Sequence, residues 1–436
     1  MHTYLEYALD YAAAGLYEEA ARWLDFLAGK EGQTYPVVVY ALGYFAHQQG
    51  QEETAAALYR KAETLSPDYC FPNRLEEILI LEDAMRLNPE GARAPYYLGN
   101  FWYAARQYEQ AVDCWNRSAA LDGKFPTVLR NLALANYNKL GRPDEAVRLL
   151  EKAFALDPTD ARILMELDQL YKKRRMPHRQ RLDFLEQYRE LVEQRDDLCV
   201  ERITLYNQLG DYTTACRLLA ERKFHPWEGG EGKVTGQFLF AHVEKAKQYL
   251  SGKQYEKALY ELKLTETYPE NLGEGKLINA EENDVYYWMG CAYEGMENRQ
   301  EARRCFECAT KGSAEPAIAF FYNDQQPDKI FYQGLAWRKL GDEARARSCF
   351  HRLISHGEKH YFDQVKIDYF AVSLPDLLIW DDDLALRNRI HCLLVEGLGH
   401  LGLGNREKAR QLLQEVVSLD INHQVAARLL AMCGKK

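Results

Sequence analysis

Carboxylates collect where an otherwise regular chain of 436 residues breaks its pattern. Glu228, Glu231, Glu274, Asp368, Asp376 and the run Asp381, Asp382, Asp383 could supply the acid and base of a hydrolytic reaction. That chemistry needs two carboxyl groups held at a set distance with unequal proton affinities. Sequence places no two of them at such a distance, so no catalytic residue is assigned and enzyme activity is not expected of this chain on its own. The acidic run precedes "LALRNRIHC", where carboxylates favour a helix N-terminus, and capping is its expected role. His351, His356 and His360 have the spacing of a metal-binding helix face, but Gly357 is expected to interrupt that helix and no H-E-x-x-H is present. Cys305 and Cys308 form a C-x-x-C inside a helical pattern with no second pair, and the ten cysteines read as reduced core residues. No metal and no cofactor are therefore expected.

Two glycine-rich segments raise a phosphate question. "HPWEGGEGKVTGQ", residues 225 to 237, and "YPENLGEGKLINA", residues 268 to 280, share a GEGK core. A nucleotide loop needs G-x-x-x-x-G-K-[ST] between a strand and a helix, because the hydroxyl holds magnesium. Trp227 stands five before Gly232, Val234 follows Lys233, and Leu277 follows Lys276, so neither copy fits. Each copy instead follows the second helix of a helix pair, in phase, together with Pro226 or Pro269. These are read as elaborated joints: glycines supply positive φ or close approach, Trp227 covers a helix pair, and Glu and Lys stand at the next helix start. Further long joints are residues 315 to 329 and 356 to 392. Side chains on these joints that could meet a ligand are Trp227, Glu228, Glu231, Lys233, Glu274, Lys276, Tyr322 and Asp376.

The elements that must carry these joints show in a recurring order of residue types. Tyr4, Tyr7, Ala8, Tyr11, Gly15, Tyr17, Ala20 and Leu24 set it; Leu42, Gly43, Ala46, Gly50, Ala55, Tyr59, Ala62 and Pro67 repeat it. Leu98, Gly99, Trp102, Tyr108, Ala111 and Trp115 follow, then Tyr137, Gly141, Ala146, Leu150, Ala153 and Pro158. Looser copies continue to "VEGLGHLGLGNREKARQLLQEVVSLD", and "HQVAARLLAMC" reads as a capping helix. Small residues let two helices cross closely, large ones fill the space alongside, and glycine and proline end the helices. About nine clear units and two degenerate ones, at 73 to 91 and 161 to 195, cover the chain.

Composition bounds the partners. Hydrophobics at 47% and charged residues at 28% describe a soluble chain without a membrane run. A net charge of -10 argues against nucleic acid, which recruits basic surfaces. The one basic run, residues 172 to 181, precedes "LEQYRELVEQRDD" and reads as a solvated, charge-balanced helix face. The N-terminus lacks the pattern of a secretion signal, and the cytoplasm is the expected location.

The repeated residues resemble the tetratricopeptide repeat, with its period of about 34 residues. The resemblance implies an all-α fold, a right-handed α-α superhelix of about ten helix pairs, read as one continuous solenoid with a plain array over 1–222 and elaborated joints over 223–436. In that family the first helix of each pair lines a groove, which here presents Tyr96, Asn100, Tyr103, Asn131, Asn138, Arg162, Gln169 and Lys172. The family's carboxylate clamp would want lysine at Tyr96, asparagine at Leu132 and a basic residue at Glu166; Asn100 alone matches. "FHPWEGGEGKVTGQ", "YPENLGEGKL", "YQGLAWRKLG", "KIDYFAVSLPD" and "RNRIHCLLVEGLGHLGLG" further resemble the C-terminal helical half of large bacterial proteins whose N-terminal half is a β-rich domain of unknown function, often associated with carbohydrate use. These resemblances imply a scaffold that binds a partner protein or such a β-rich domain through its groove and second-half loops. The alternative they imply is a carbohydrate-binding or carbohydrate-processing site completed by that partner, for which aromatics at 12% offer stacking surfaces.

Overall fold

The computed structural model describes residues 2–28, 35–227, 229–278, 280–317, 326–365 and 378–433. Glu228, Tyr322, Asp368 and Asp376 lie outside them. The described residues form helices and connections with no strand, the all-α array of helix pairs that the repeats predict. Two compact units divide at Leu167 and Asp168, ahead of the change in joint character after residue 222.

The first unit contains α1 (His2–Ala13), α2 (Tyr17–Ala28), α3 (Pro36–Gln48), α4 (Glu52–Glu63), α5 (Leu75–Leu87), α6 (Arg93–Ala104), α7 (Tyr108–Leu121), α8 (Pro126–Asn138) and α9 (Pro143–Leu156), and the division falls inside α10 (Ala161–Lys173). Proline opens α3, α8 and α9, where its missing N–H costs nothing. Gly15, Gly50 and Gly141 end first helices with φ of 77, 77 and 63°. Helix pairs close through a small-against-aromatic contact. A β-carbon at Gly43 would lie 2.5 Å from the Tyr59 ring, and one at Gly99 would lie 2.4 Å from the Trp115 ring. The degenerate stretch at 73 to 91 is one helix, α5, wedged between pairs. Its Asp83 accepts from the Tyr59 hydroxyl at 2.6 Å and from Arg86 at 2.6 Å, with His47 Nδ1 at 3.0 Å. The buried carboxylate thus repays its desolvation with several donors.

The second unit continues through α11 (His178–Gln187), α12 (Arg189–Val192), α13 (Asp196–Leu209), α14 (Tyr212–Glu221), α15 (Lys233–Ser251) and α16 (Tyr255–Leu264). After them come α17 (Asn283–Gly295), α18 (Arg299–Ala309), α19 (Pro327–Lys339), α20 (Glu343–His360), α21 (Leu384–Gly402), α22 (Arg406–Leu419) and α23 (Gln424–Cys433). Gly290 against Phe306 and Gly334 against Phe350 repeat the small-against-aromatic contact at 2.5 and 2.4 Å. Asp383 caps α21 by accepting from Leu386 N at 3.0 Å, as the acidic run was expected to do. Gly357 does not interrupt α20; a β-carbon there would lie 2.6 Å from Cys392 O, so glycine lets α21 pass closely. His356 and His360 do meet, their rings 4.5 Å apart and tilted by 40°, and burial lowers the pKa of His391, 6.1 Å from His356, to about 4. No group of three potential ligands able to hold a metal occurs among the described residues. No helix among them is long and apolar enough to cross a membrane.

The second unit also returns on itself. Arg175 donates to Ser418 O at 2.8 Å, Gln208 to Asn422 O at 2.6 Å, and Gln237 and Gln424 exchange amide hydrogen bonds at 3.0 Å. Arg428 donates to Asn207 O at 2.5 Å and Gln208 O at 2.9 Å, with its guanidinium over Tyr212 and Phe240. The last helix therefore closes against α13 and α15 through a polar seam.

Candidate functional site

In the first unit, the first helices of successive pairs bring polar groups to one strip. Asn100 on α6 accepts from Trp115 Nε1 at 3.1 Å and from Asn131 Nδ2 at 3.0 Å, which links α6 to α8. Beside Asn131, Arg130 grips Glu166 of α10 with two bonds of 2.7 and 2.6 Å. Glu166 is fully buried, and Arg162 donates to it from Nε at 3.0 Å while keeping 60% of its own side chain exposed. A carboxylate between two guanidiniums is charge-compensated where it lies and leaves the pair net positive. Tyr103 sits half-buried, its ring 5.3 Å from Trp115.

Tyr96 backs this strip without lining the groove, its hydroxyl hydrogen-bonded with the Asn100 amide. It is 5% exposed, with its ring 4.8 Å from Phe125, so the expectation that it lines the groove is corrected. The tyrosine fills the space between consecutive pairs, a position whose sequence signature cannot be told from a groove position. Leu132 is buried as well, which removes a second clamp position. Arg130 was missed because its neighbour Asn131 fitted the groove pattern and it did not. The signal available was Glu166, an acidic residue on the apolar face of α10.

In the second unit, Gln169 is half-buried on α10, and the basic run beyond it is a solvated face only in part. Arg181 is completely buried, donating to Asp168 at 3.1 and 2.6 Å and to Glu201 at 2.8 Å. Lys172 meets the same Glu201 at 2.9 and 3.0 Å. Burial works to raise the Glu201 carboxyl, but Lys172 and Arg181 outweigh it and hold the pKa near 2. Lys172 and Arg181 thus wire α10 to α11 and α13, while Arg174, Arg175 and Arg179 of the same run stay exposed. Lys233, which opens α15, keeps an exposed side chain; desolvation by the surrounding walls and the Lys172 charge lower its pKa.

The two glycine-rich joints meet each other. Glu274 of the second accepts from Gly232 N of the first at 3.0 and 3.2 Å and from the Thr235 hydroxyl at 3.3 Å. Gly232 has φ 72° and begins α15, so a carboxylate of the same chain occupies the helix end where a phosphate would bind. Phe224 N donates to Asn271 O at 2.7 Å, and Asn271 Nδ2 caps α14 through Leu219 O and Arg222 O, each at 2.7 Å. Gly273, at φ 80°, would drive a β-carbon to 2.7 Å from Phe224 O. Lys276 reaches back to Glu266 O at 2.9 Å and across to Glu282 at 2.5 Å. The second copy therefore closes the preceding helix, α16, and does not start the next one, which begins at Asn283. Trp227 lies over its own Gly230, where a β-carbon would be 2.1 Å from the indole. Of the joint residues, Glu231 is exposed.

Sequence profiles of the tetratricopeptide repeat match residues 1–25, 38–69, 126–167, 284–311 and 330–356. Among solved structures, MamA of Desulfovibrio magneticus RS-1 aligns at 19% identity, covering 45% of this chain and 96% of its own, with a TM-score of 0.26. YrrB, described as a tetratricopeptide repeat protein with an unusual peptide-binding site, aligns at 16% identity over 52% of this chain and 89% of its own, with a TM-score of 0.29. A chain of the Naa15/Naa10 complex bound to HypK-THB aligns over 99% of this chain and 65% of its own at 10% identity and a TM-score of 0.36. Superpositions this loose say nothing about partners.

Proposed function

We propose, starting from five segments that carry recognised tetratricopeptide repeats, that this chain is a protein-interaction scaffold whose first unit binds an extended polypeptide segment. The observation that carries the reading is the strip running from Asn100 through Asn131 and Arg130 to Glu166 and Arg162, on α6, α8 and α10. Paired amides pre-oriented on adjacent helices suit the alternating N–H and C=O groups of an extended backbone, and the exposed part of Arg162 suits a carboxylate on it. Fixing these side chains to each other before binding lowers the ordering cost of recognition. A β-rich domain remains the partner that the sequence resemblance implies. Among the described joint residues, Glu274 and Lys276 are engaged within the chain, and no observation favours the carbohydrate reading over the scaffold.

The test begins with a random peptide display selection on the full chain, followed by affinity measurements on the enriched peptides. Asn100→Ala and Asn131→Ala should each weaken binding by about tenfold, a value appropriate to a central polar contact. Arg162→Ala should weaken peptides with an acidic residue more than those without one. Enriched peptides that bind the asparagine variants as well as the wild type would rule out this strip. Mixing the chain with a separately expressed β-rich domain of the similar proteins tests the implied partner, and no association in sedimentation would remove it.

A further inference from the structure

The first unit carries a second surface, remote in character from the polar strip. Tyr69, Phe71, Leu75 and Leu79 are 89, 63, 74 and 57% exposed, a concentration of large apolar side chains in one short stretch. Isolated exposed leucines are ordinary, but four large side chains within eleven consecutive positions form a patch that water solvates poorly. Leu75 and Leu79 are one turn apart on α5, and Glu82 continues the same face. The patch exists because α5 stands alone. Every neighbouring first helix is followed by a second helix that covers it, whereas the joint after α5 turns directly into α6, which pairs with α7.

Charge says what could cover it. Asp68, Glu76 and Glu82 are exposed along the same stretch. Arg74 and Arg86 are the cations of residues 64 to 86, and both are engaged, Arg74 with Glu6 and Arg86 with Asp83. Arg117 of α7 reaches α5 at Met85 O, at the Glu82 end, so the surface is apolar with an acidic rim that is least balanced around Asp68 and Glu76. A second copy of this chain seated on the same patch would place these carboxylates opposite one another, which self-pairing through a twofold axis requires and like charge opposes. An anionic lipid surface is repelled for the same reason.

We propose that the outer face of α5, with Tyr69 and Phe71, docks a basic amphipathic helix of a partner protein. Its apolar side chains at i and i+4 meet Leu75 and Leu79, and flanking lysines or arginines meet Asp68, Glu76 and Glu82. The helix takes the place of the second helix that α5 lacks. This surface is independent of the strip on α6, α8 and α10, so failure of one leaves the other intact.

The probe is a short labelled peptide of lysine and leucine, with leucines at helical i, i+3, i+4 and i+7 spacing, titrated into the full chain by fluorescence anisotropy. A matched peptide with glutamate at every lysine position is the control. The lysine peptide should bind and the glutamate peptide should bind at least about tenfold more weakly, with affinity falling as salt rises. L75S/L79S should weaken the lysine peptide by about tenfold and E76K/E82K by a comparable factor. Both pairs are exposed, and unchanged melting by circular dichroism confirms that the fold survives. Equal binding of the lysine peptide to wild type and L75S/L79S overturns the proposal. So does concentration-dependent dimerisation in sedimentation that L75S/L79S abolishes, which would assign the face to a second copy.

Discussion

Glu274 shows how a residue that looks available for chemistry can be consumed by structure. Its two oxygens receive Gly232 N and its Oε2 also receives the Thr235 hydroxyl, so it acts as the cap that α15 cannot obtain from Gly232, which has no side chain. Caps of this kind contribute about 1–2 kcal/mol, more when the acceptor is charged. Glu274→Ala should therefore destabilise the start of α15 by about that amount, and Glu274→Gln by less, since an amide oxygen still accepts. Hydrogen exchange of the amides from 232 to 236 is the measurement, and unchanged protection in Glu274→Ala would contradict the capping role. Sequence could identify the shared GEGK and its phase, because those are local. It could not show that one copy caps the other, because that contact joins residues 42 positions apart. The expectation of Lys276 at a helix start fails for the same reason: its carbonyl partners belong to the helix behind it.

At the scale of the element, the turn between paired helices is set by one left-handed residue. Gly210, Gly341 and Gly404 occupy it with φ of 84, 87 and 84°, while Arg106, Lys253 and Glu297 occupy it with φ of 61, 55 and 62°. A side chain in that conformation costs about 1 kcal/mol relative to glycine, partly offset by the entropy glycine loses on folding. Arg106→Gly, Lys253→Gly and Glu297→Gly should each stabilise their helix pair by about 0.5–1 kcal/mol, read as a shift in the urea midpoint of the full chain with little change in slope. A loss of stability in all three would show that the side chains contribute more than the backbone costs. The helix pairs were legible in sequence because small, aromatic and glycine positions answer to packing inside one pair. α5 was less legible. Its stretch was counted as a degenerate pair, since periodicity marks a helix but does not reveal the absence of its partner. Gly357 was misread because glycine in a helix signals a break when taken alone, and a close crossing when α21 is known to pass it.

At the scale of the second unit, what holds the last helices to the first differs from what holds them to each other. Ala426, Leu429 and Cys433 of α23 are buried in an apolar cluster with Leu393, Leu398, Leu413 and Val416, a cluster that takes no buried residue from α10 to α14. Against α10, α11, α13 and α15 the contacts described are hydrogen bonds, an ion pair and the Arg428 guanidinium over Phe240. Lys173 meets Asp382, Arg181 reaches Asn422 at 3.3 Å, and Arg428 caps the end of α13. Polar contacts exchange for water at a net cost of about 1 kcal/mol each, whereas separating α23 from its apolar cluster costs several times more. The second unit should therefore open at the seam first, with α21 to α23 moving as one body. Such an opening would expose the buried Arg181 and its carboxylate partners Asp168 and Glu201 to water. Asn422→Ala combined with Arg428→Ala removes the largest share of the seam. It should raise amide exchange at the end of α13 and in the 420–424 turn by about tenfold, equivalent to about 1.4 kcal/mol, while the α19–α22 amides keep their protection. If protection fell equally throughout the unit, the seam would be part of its cooperative core. If it did not fall at all, the closure would rest on packing and the polar contacts would be incidental to it.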